Sequence, residues 1–142
     1  YTYKDTGRFD ITLKVINTYN CADSITMSSI VHVKKRSEIF FPEAFTPNQN
    51  NGTDGLYDTQ DRSNDVFYTI VIDGDVTNYE MNVYNRSGVL IFQSKDIKKG
   101  WDGYYKGKIL PQDVYIYKVS GSYNSGETFQ IVHNVLLVLK GN

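Results

Sequence analysis

The sequence predicts an all-β protein, an immunoglobulin-like antiparallel β-sandwich of about seven strands preceded by a hairpin from another β-sandwich. Three observations carry this. Apolar and polar residues alternate at period two in segment after segment. Turn signals rich in Gly, Asn and Asp recur between those segments at the spacing of short strands. Twelve Tyr and seven Phe against three Pro and two Met favour strands, and no segment holds apolar spacing of three and four long enough for a helix.

Taken in order, the first element is Tyr1 to Asn17, where Phe9, Ile11, Leu13 and Val15 share one face and Asp10, Thr12 and Lys14 the other. Tyr19 to Asp23 turns the chain, and a second strand from Ser24 to Val33 places Ile25, Met27, Val31 and Val33 on one face. A lone hairpin is marginal in water. Residues 1–34 therefore read as the last two strands of a domain begun elsewhere. Residues 35–38 read as a charged linker, and residues 39–142 as a second domain.

That domain opens on Ile39-Phe40-Phe41. From Thr46 to Asp65 four Asn, four Asp and two Gly leave only Leu56 and Tyr57 apolar, which marks a long surface loop. Strands are expected at Val66 to Ile72, Tyr79 to Tyr84, Val89 to Phe92, Val114 to Val119 and Phe129 to Leu139. Asn85-Arg86-Ser87-Gly88 is a tight turn. The last strand puts Phe129, Ile131, His133, Val135, Leu137 and Leu139 on one face, with Lys140 just beyond.

At 142 residues the chain is long enough for one domain and a piece of another. A net charge of −1 supplies no field to draw it to nucleic acid or an anionic membrane. The longest apolar run, Val135 to Leu139, is too short to span a bilayer, and no charged-then-apolar N-terminal segment reads as a signal peptide. Cys21 stands alone, as a buried thiol or with a disulfide partner upstream.

Catalytic chemistry has little to build on. His32 and His133 each fall inside a strand, and no nucleophile elbow, zinc-binding helix motif or Cys-His arrangement occurs. Two binding chemistries remain open. Asp54, Asp58, Asp61 and Asp65 supply hard oxygen ligands of the kind calcium takes, although Asp and Asn also favour loops by bonding their own backbone. Trp101, Tyr104, Tyr105, Tyr115 and Tyr117 suit either a stacking platform for sugar or a plug closing the sandwich. On the plug reading Arg86 pairs with Asp102 or lies over Trp101.

Four stretches then occur in a telling order: FPEAFTPN at 41–48, YEMNVYNRSG at 79–88, GWDGYYKGKILPQDVYIYKV at 100–119, and a closing apolar strand. Residues 39–142 resemble the gliding-motility-associated C-terminal domain, the type B sorting domain of the type IX secretion system. Its motif positions here are Phe45, Pro47, Asn48, Arg86, Gly88, Gly100, Trp101, Asp102, Gly103, Tyr115 and Tyr117. The family often has Trp where this chain has Ser87, and Gly where it has Asp113. Residues 1–34 resemble the end of a PKD-type domain, through Tyr1-Thr2-Tyr3, Asp5-Thr6-Gly7 and Val15-Ile16-Asn17.

The resemblance implies a non-catalytic signal that sends a large surface protein, an adhesin, across the outer membrane. The cargo would pass through the periplasm to the cell surface or beyond. The implied partners are the type IX translocon and a PorP/SprF-like outer-membrane protein. No cofactor is implied, calcium aside. The final hairpin, Val114 to Lys140, is the first expected recognition surface, because a terminal strand often lies at a sheet edge that accepts another strand, with the 46–65 loop second and Arg86 with the GWDG turn third.

Overall fold

The computed structural model describes residues 5–33, 38–58, 60, 63–72 and 74–141, and every regular element among them is a β-strand. The chain divides into two compact units, Tyr1–Arg36 and Ser37–Asn142. Tyr1 to Tyr3 and the expected linker lie outside the described residues, except for Glu38, which opens a strand.

The first unit is a hairpin of β1 (Gly7–Ile16) and β2 (Ala22–Val33). Its turn is fastened by the Asn17 carboxamide oxygen, which accepts the N–H groups of Tyr19 and Cys21 at 2.9 Å each. Between Phe9↔Val31 and Ile11↔Met27 the register advances two residues on β1 and four on β2. Ser29 takes up the slack at φ 57°, its N–H bonded to the Asp10 carboxylate at 2.7 Å. An even number of extra residues keeps the faces in phase. Phe9, Ile11, Leu13, Ile25, Met27 and Val31 therefore share one side, on which Leu13 is 57% and Ile25 59% exposed. Cys21 is an exposed free thiol, which overturns the buried reading.

The second unit contains β3 (Glu38–Phe40), β4 (Ala44–Phe45), β5 (Ile70–Ile72), β6 (Val76–Tyr84), β7 (Leu90–Ser94), β8 (Tyr104–Tyr105), β9 (Lys108–Ile109), β10 (Asp113–Tyr123) and β11 (Thr128–Leu137). Its main sheet runs β4-β11-β10-β6-β7. All pairings in it are antiparallel except β4 with β11, so the sheet is mixed rather than wholly antiparallel. The expected strand from Val66 shortens to Ile70–Ile72, because Phe67 is drawn instead into an isolated bridge with Trp101.

Register decides which side chains meet. Met81, Val119 and Ile131 lie in one row across three strands, and Val83, Tyr117 and His133 in the next. These rows face Phe41, Phe67 and Trp101, which with β3, β5 and the bridge form the second layer. The opposite face of the main sheet is mostly polar. There Glu80 accepts hydrogen bonds from Asn82 and Gln93 at 3.0 Å each, which hold its carboxyl below the usual range.

Candidate functional site

The glycine turn after β7 is built around Trp101, which is fully buried. Its backbone exchanges two hydrogen bonds with Phe67, both 2.8 Å. Its ring centroid lies 5.2 Å from that of Phe45 and 4.9 Å from that of Tyr115, the latter pair inclined at 67°, and its indole N–H donates to the Tyr104 carbonyl at 3.2 Å. The flanking glycines are steric requirements. A Cβ on Gly100 would sit 2.4 Å from the Phe67 carbonyl oxygen. Gly103 adopts φ +81°, and a Cβ there would meet the Pro47 ring at 2.4 Å.

Tyr115 and Tyr117 are buried beneath this turn, and burial pushes both phenols above their usual range. They offer no platform to sugar, so that reading is overturned: the face they share is the one turned toward the core. The aromatic pair that sequence reasoning missed is Tyr57 with Tyr68, stacked at 3.9 Å and 16° in a groove of about 290 Å³. Their spacing in the sequence carries no periodic signal, because loop packing brings them together.

The acidic loop does not gather its carboxylates. Asp54 lies exposed at φ 54°, Asp58 caps the Gln60 N–H at 2.9 Å, and Asp65 accepts the Ser63 hydroxyl at 2.8 Å. Asp61 lies outside the described residues. Among the described residues no three His, Cys, Asp or Glu form a metal-holding group. The loop is instead closed on itself by Thr46 N–H to the Asn64 carbonyl at 2.9 Å and pinned to the fold by Gly100 N–H to the Gly55 carbonyl at 2.8 Å.

Other motif residues also hold loops. Asp102 accepts the Thr53 N–H at 3.2 Å and the Tyr104 N–H at 3.1 Å. Arg86 pairs instead with Asp113 at 3.0 Å, which corrects the expected Arg86 contacts with Asp102 or Trp101. The Asn48 carbonyl accepts the Tyr104 hydroxyl at 2.8 Å, Phe45 and Pro47 are fully buried, and Gly88 closes its turn onto the Asn85 carbonyl at 2.9 Å.

The terminal strand is more informative in its backbone than in its apolar row. Val135 and Leu137 are core residues, and Phe129, Ile131 and Leu139 pack half-buried against the core. The side chains of Val135 and Leu137 are therefore not available to a partner. His133 is exposed, its ring 6.3 Å from Tyr117, and Lys140 is exposed with its carbonyl bonded to Gln49 at 3.2 Å. The free part of the strand is its outward edge from Thr128 to Asn134, because β4 pairs only with Leu136 and Leu137. Gln130, Val132 and Asn134 flank that edge, and all three are exposed. The sequence signal for them is the uncharged run TFQIVHN, which lacks the Lys or Pro that usually guards an edge.

Comparison with known proteins gives a family. The CHU_C Type IX secretion signal domain family matches residues 39–133, more than half of the chain. Among solved structures, the crystal structure of dimeric latent PorU from Porphyromonas gingivalis is similar at 15% identity with a TM-score of 0.40. That alignment covers 96% of this chain and 13% of the PorU chain, so the chain spans a small fraction of that protein. No curated protein matches.

Proposed function

Because the chain belongs to the CHU_C family of type IX secretion signal domains, we propose that its second unit is a non-catalytic sorting signal. It directs a larger cell-surface protein, an adhesin, through the periplasm and across the outer membrane. Its partners on this reading are the translocon and an outer-membrane protein of the PorP/SprF kind.

The observation that carries the proposal is the family match over residues 39–133, which falls on a unit whose motif residues are spent on folding. Trp101, Tyr115 and Tyr117 fill the core, and Asp102 and Asn48 tie loops down. A side chain consumed in this way supports a signal read from the outside of a folded domain rather than from a pocket. Among the described residues no helix is long and apolar enough to cross a membrane.

The test is export. The whole chain is fused to a fluorescent protein carrying a periplasmic signal and expressed in a host with the type IX machinery. Extracellular fluorescence that disappears when the translocon is deleted supports the proposal. Equal fluorescence outside both strains, or retention in the periplasm of both, refutes it.

A further inference from the structure

We propose that the secretion machinery reads the second unit by adding an extended peptide segment of its own to the free edge of β11, from Thr128 to Asn134. The inference rests on the sorting role proposed above and names the surface and chemistry of recognition.

The hydrogen-bond pattern of the sheet locates the edge. Leu136 N–H bonds to the Glu43 carbonyl and Val138 N–H to the Phe45 carbonyl, both at 3.0 Å. Even-numbered residues of β11 therefore point their backbone groups away from β10, and odd-numbered ones point toward it. Beyond the two-residue pairing with β4, the N–H and C=O groups of Thr128, Gln130, Val132 and Asn134 face outward with no backbone partner among the described residues. Among the described residues, the His133 Nδ1 lies 3.4 Å from the Asn134 carbonyl oxygen.

The edge is open by composition and shape. It contains no Lys, Arg, Asp, Glu, Pro or Gly. Its pairing with β10 runs ten residue pairs without a register shift, so no bulge twists it away. The other edge, β7, is half as long, and its pairing with β6 is shifted between Val83 and Tyr84. Natural sheets guard exposed edges with charge, Pro, bulges or brevity, and β11 uses none of these.

The chemistry of the edge specifies its occupant. Donors and acceptors repeat every second residue, a spacing of about 7 Å that an extended polypeptide matches. The added strand would continue the row that β4 begins, which ends at Pro42, where the backbone N–H is missing. One of its faces would lie beside Phe129 and Ile131, which are half-buried in the core rim. The other would lie beside Gln130, Val132 and Asn134. The segment that fits is therefore extended, alternates apolar residues on its inner face, and needs no charge to match.

Proline substitution tests this at single N–H groups. Val132→Pro and Gln130→Pro each remove one outward donor and none of the bonds to β10. Val132→Thr keeps the donor, and Gln93→Pro removes the equivalent outward donor on β7. The exposed pair Gln130→Lys with Asn134→Lys places charge on the edge without touching the core, so the test does not depend on the proline variants folding. Export of the fused whole chain is measured beside the melting curve of each purified chain.

The expected result is at least tenfold less export for the two proline variants and the double lysine variant, with near-native melting, while Val132→Thr and Gln93→Pro export like the parent. Folded edge variants that export normally overturn edge recognition and leave the sorting role standing. A parent chain that is not exported overturns the sorting role itself. If Val132→Thr loses as much export as Val132→Pro, a side chain is read rather than the edge. A chain that sediments as a dimer, and as a monomer once Val132→Pro is made, assigns the edge to a second copy and overturns the proposed occupant.

Discussion

At the scale of single residues, the fold of this domain depends on side chains turned wholly away from solvent. Trp101 makes ring contacts with Phe45 and Tyr115 and donates its N–H to a carbonyl, all with no exposure to water. Trp101→Ala is expected to cost about 3–5 kcal/mol in urea unfolding followed by circular dichroism, through the cavity it leaves. An unchanged midpoint would refute the plug role. Arg86 makes the contrast. Its pair with Asp113 is short, but the two side chains are 68% and 40% exposed, so Arg86→Ala should change stability by no more than about 1 kcal/mol in the same assay. The role of Trp101 was legible from a lone Trp between glycines, since that spacing suits a ring packed under a close-approaching backbone. The partner of Arg86 was not. Asp102 is already engaged by the Tyr104 N–H of its own turn and by the Thr53 N–H of a distant loop, and the second of these no local pattern records.

At the scale of elements, β11 separates two kinds of position by one residue of register. Val135 is 1% exposed and faces the core, while Val132 is 59% exposed on the outer face. Val135→Lys is expected to destabilise the unit by more than about 3 kcal/mol by burying a charge without a partner. Val132→Lys should stay within about 0.5 kcal/mol. Thermal melting of both variants checks the alternation directly, and similar losses in both would mean the register is wrong. The strands β6, β10 and β11 are readable because alternation over six or more residues, from Tyr79 to Tyr84, Val114 to Val119 and Phe129 to Leu139, leaves one assignment of faces. The two-residue strands β4, β8 and β9 carry no period at all, and they exist only where tertiary packing brings them beside a neighbour. For the same reason the parallel pairing of β4 was invisible, and with it the point where the free edge of β11 begins. The alternation of this strand singles out its apolar row, of which the core takes Val135 and Leu137.

At the scale of the whole second unit, the core contains three buried phenols, Tyr79, Tyr115 and Tyr117, and this gives the fold a characteristic response to base. Tyr79 is buried with its hydroxyl 2.7 Å from the Thr69 hydroxyl, and burial drives its pKa well above the ordinary tyrosine range. Burial raises Tyr57, Tyr115 and Tyr117 in the same direction. A phenol whose folded pKa exceeds its unfolded value binds its proton more tightly in the native state. Its contribution is therefore fully present below about pH 10, where the unfolded phenol stays neutral, and is lost as pH climbs toward the folded values. Three of these groups, Tyr79, Tyr115 and Tyr117, share one core, and this makes the loss cooperative, because ionising one of them admits water to the rest. The melting temperature should hold steady through neutral pH and fall steeply above about pH 10, with phenolate absorbance from the buried tyrosines rising together with loss of the near-ultraviolet dichroism. Phenolate absorbance that rises fully while the dichroism persists would show that these tyrosines ionise inside an intact fold, and that the aromatic core is not what holds the unit together.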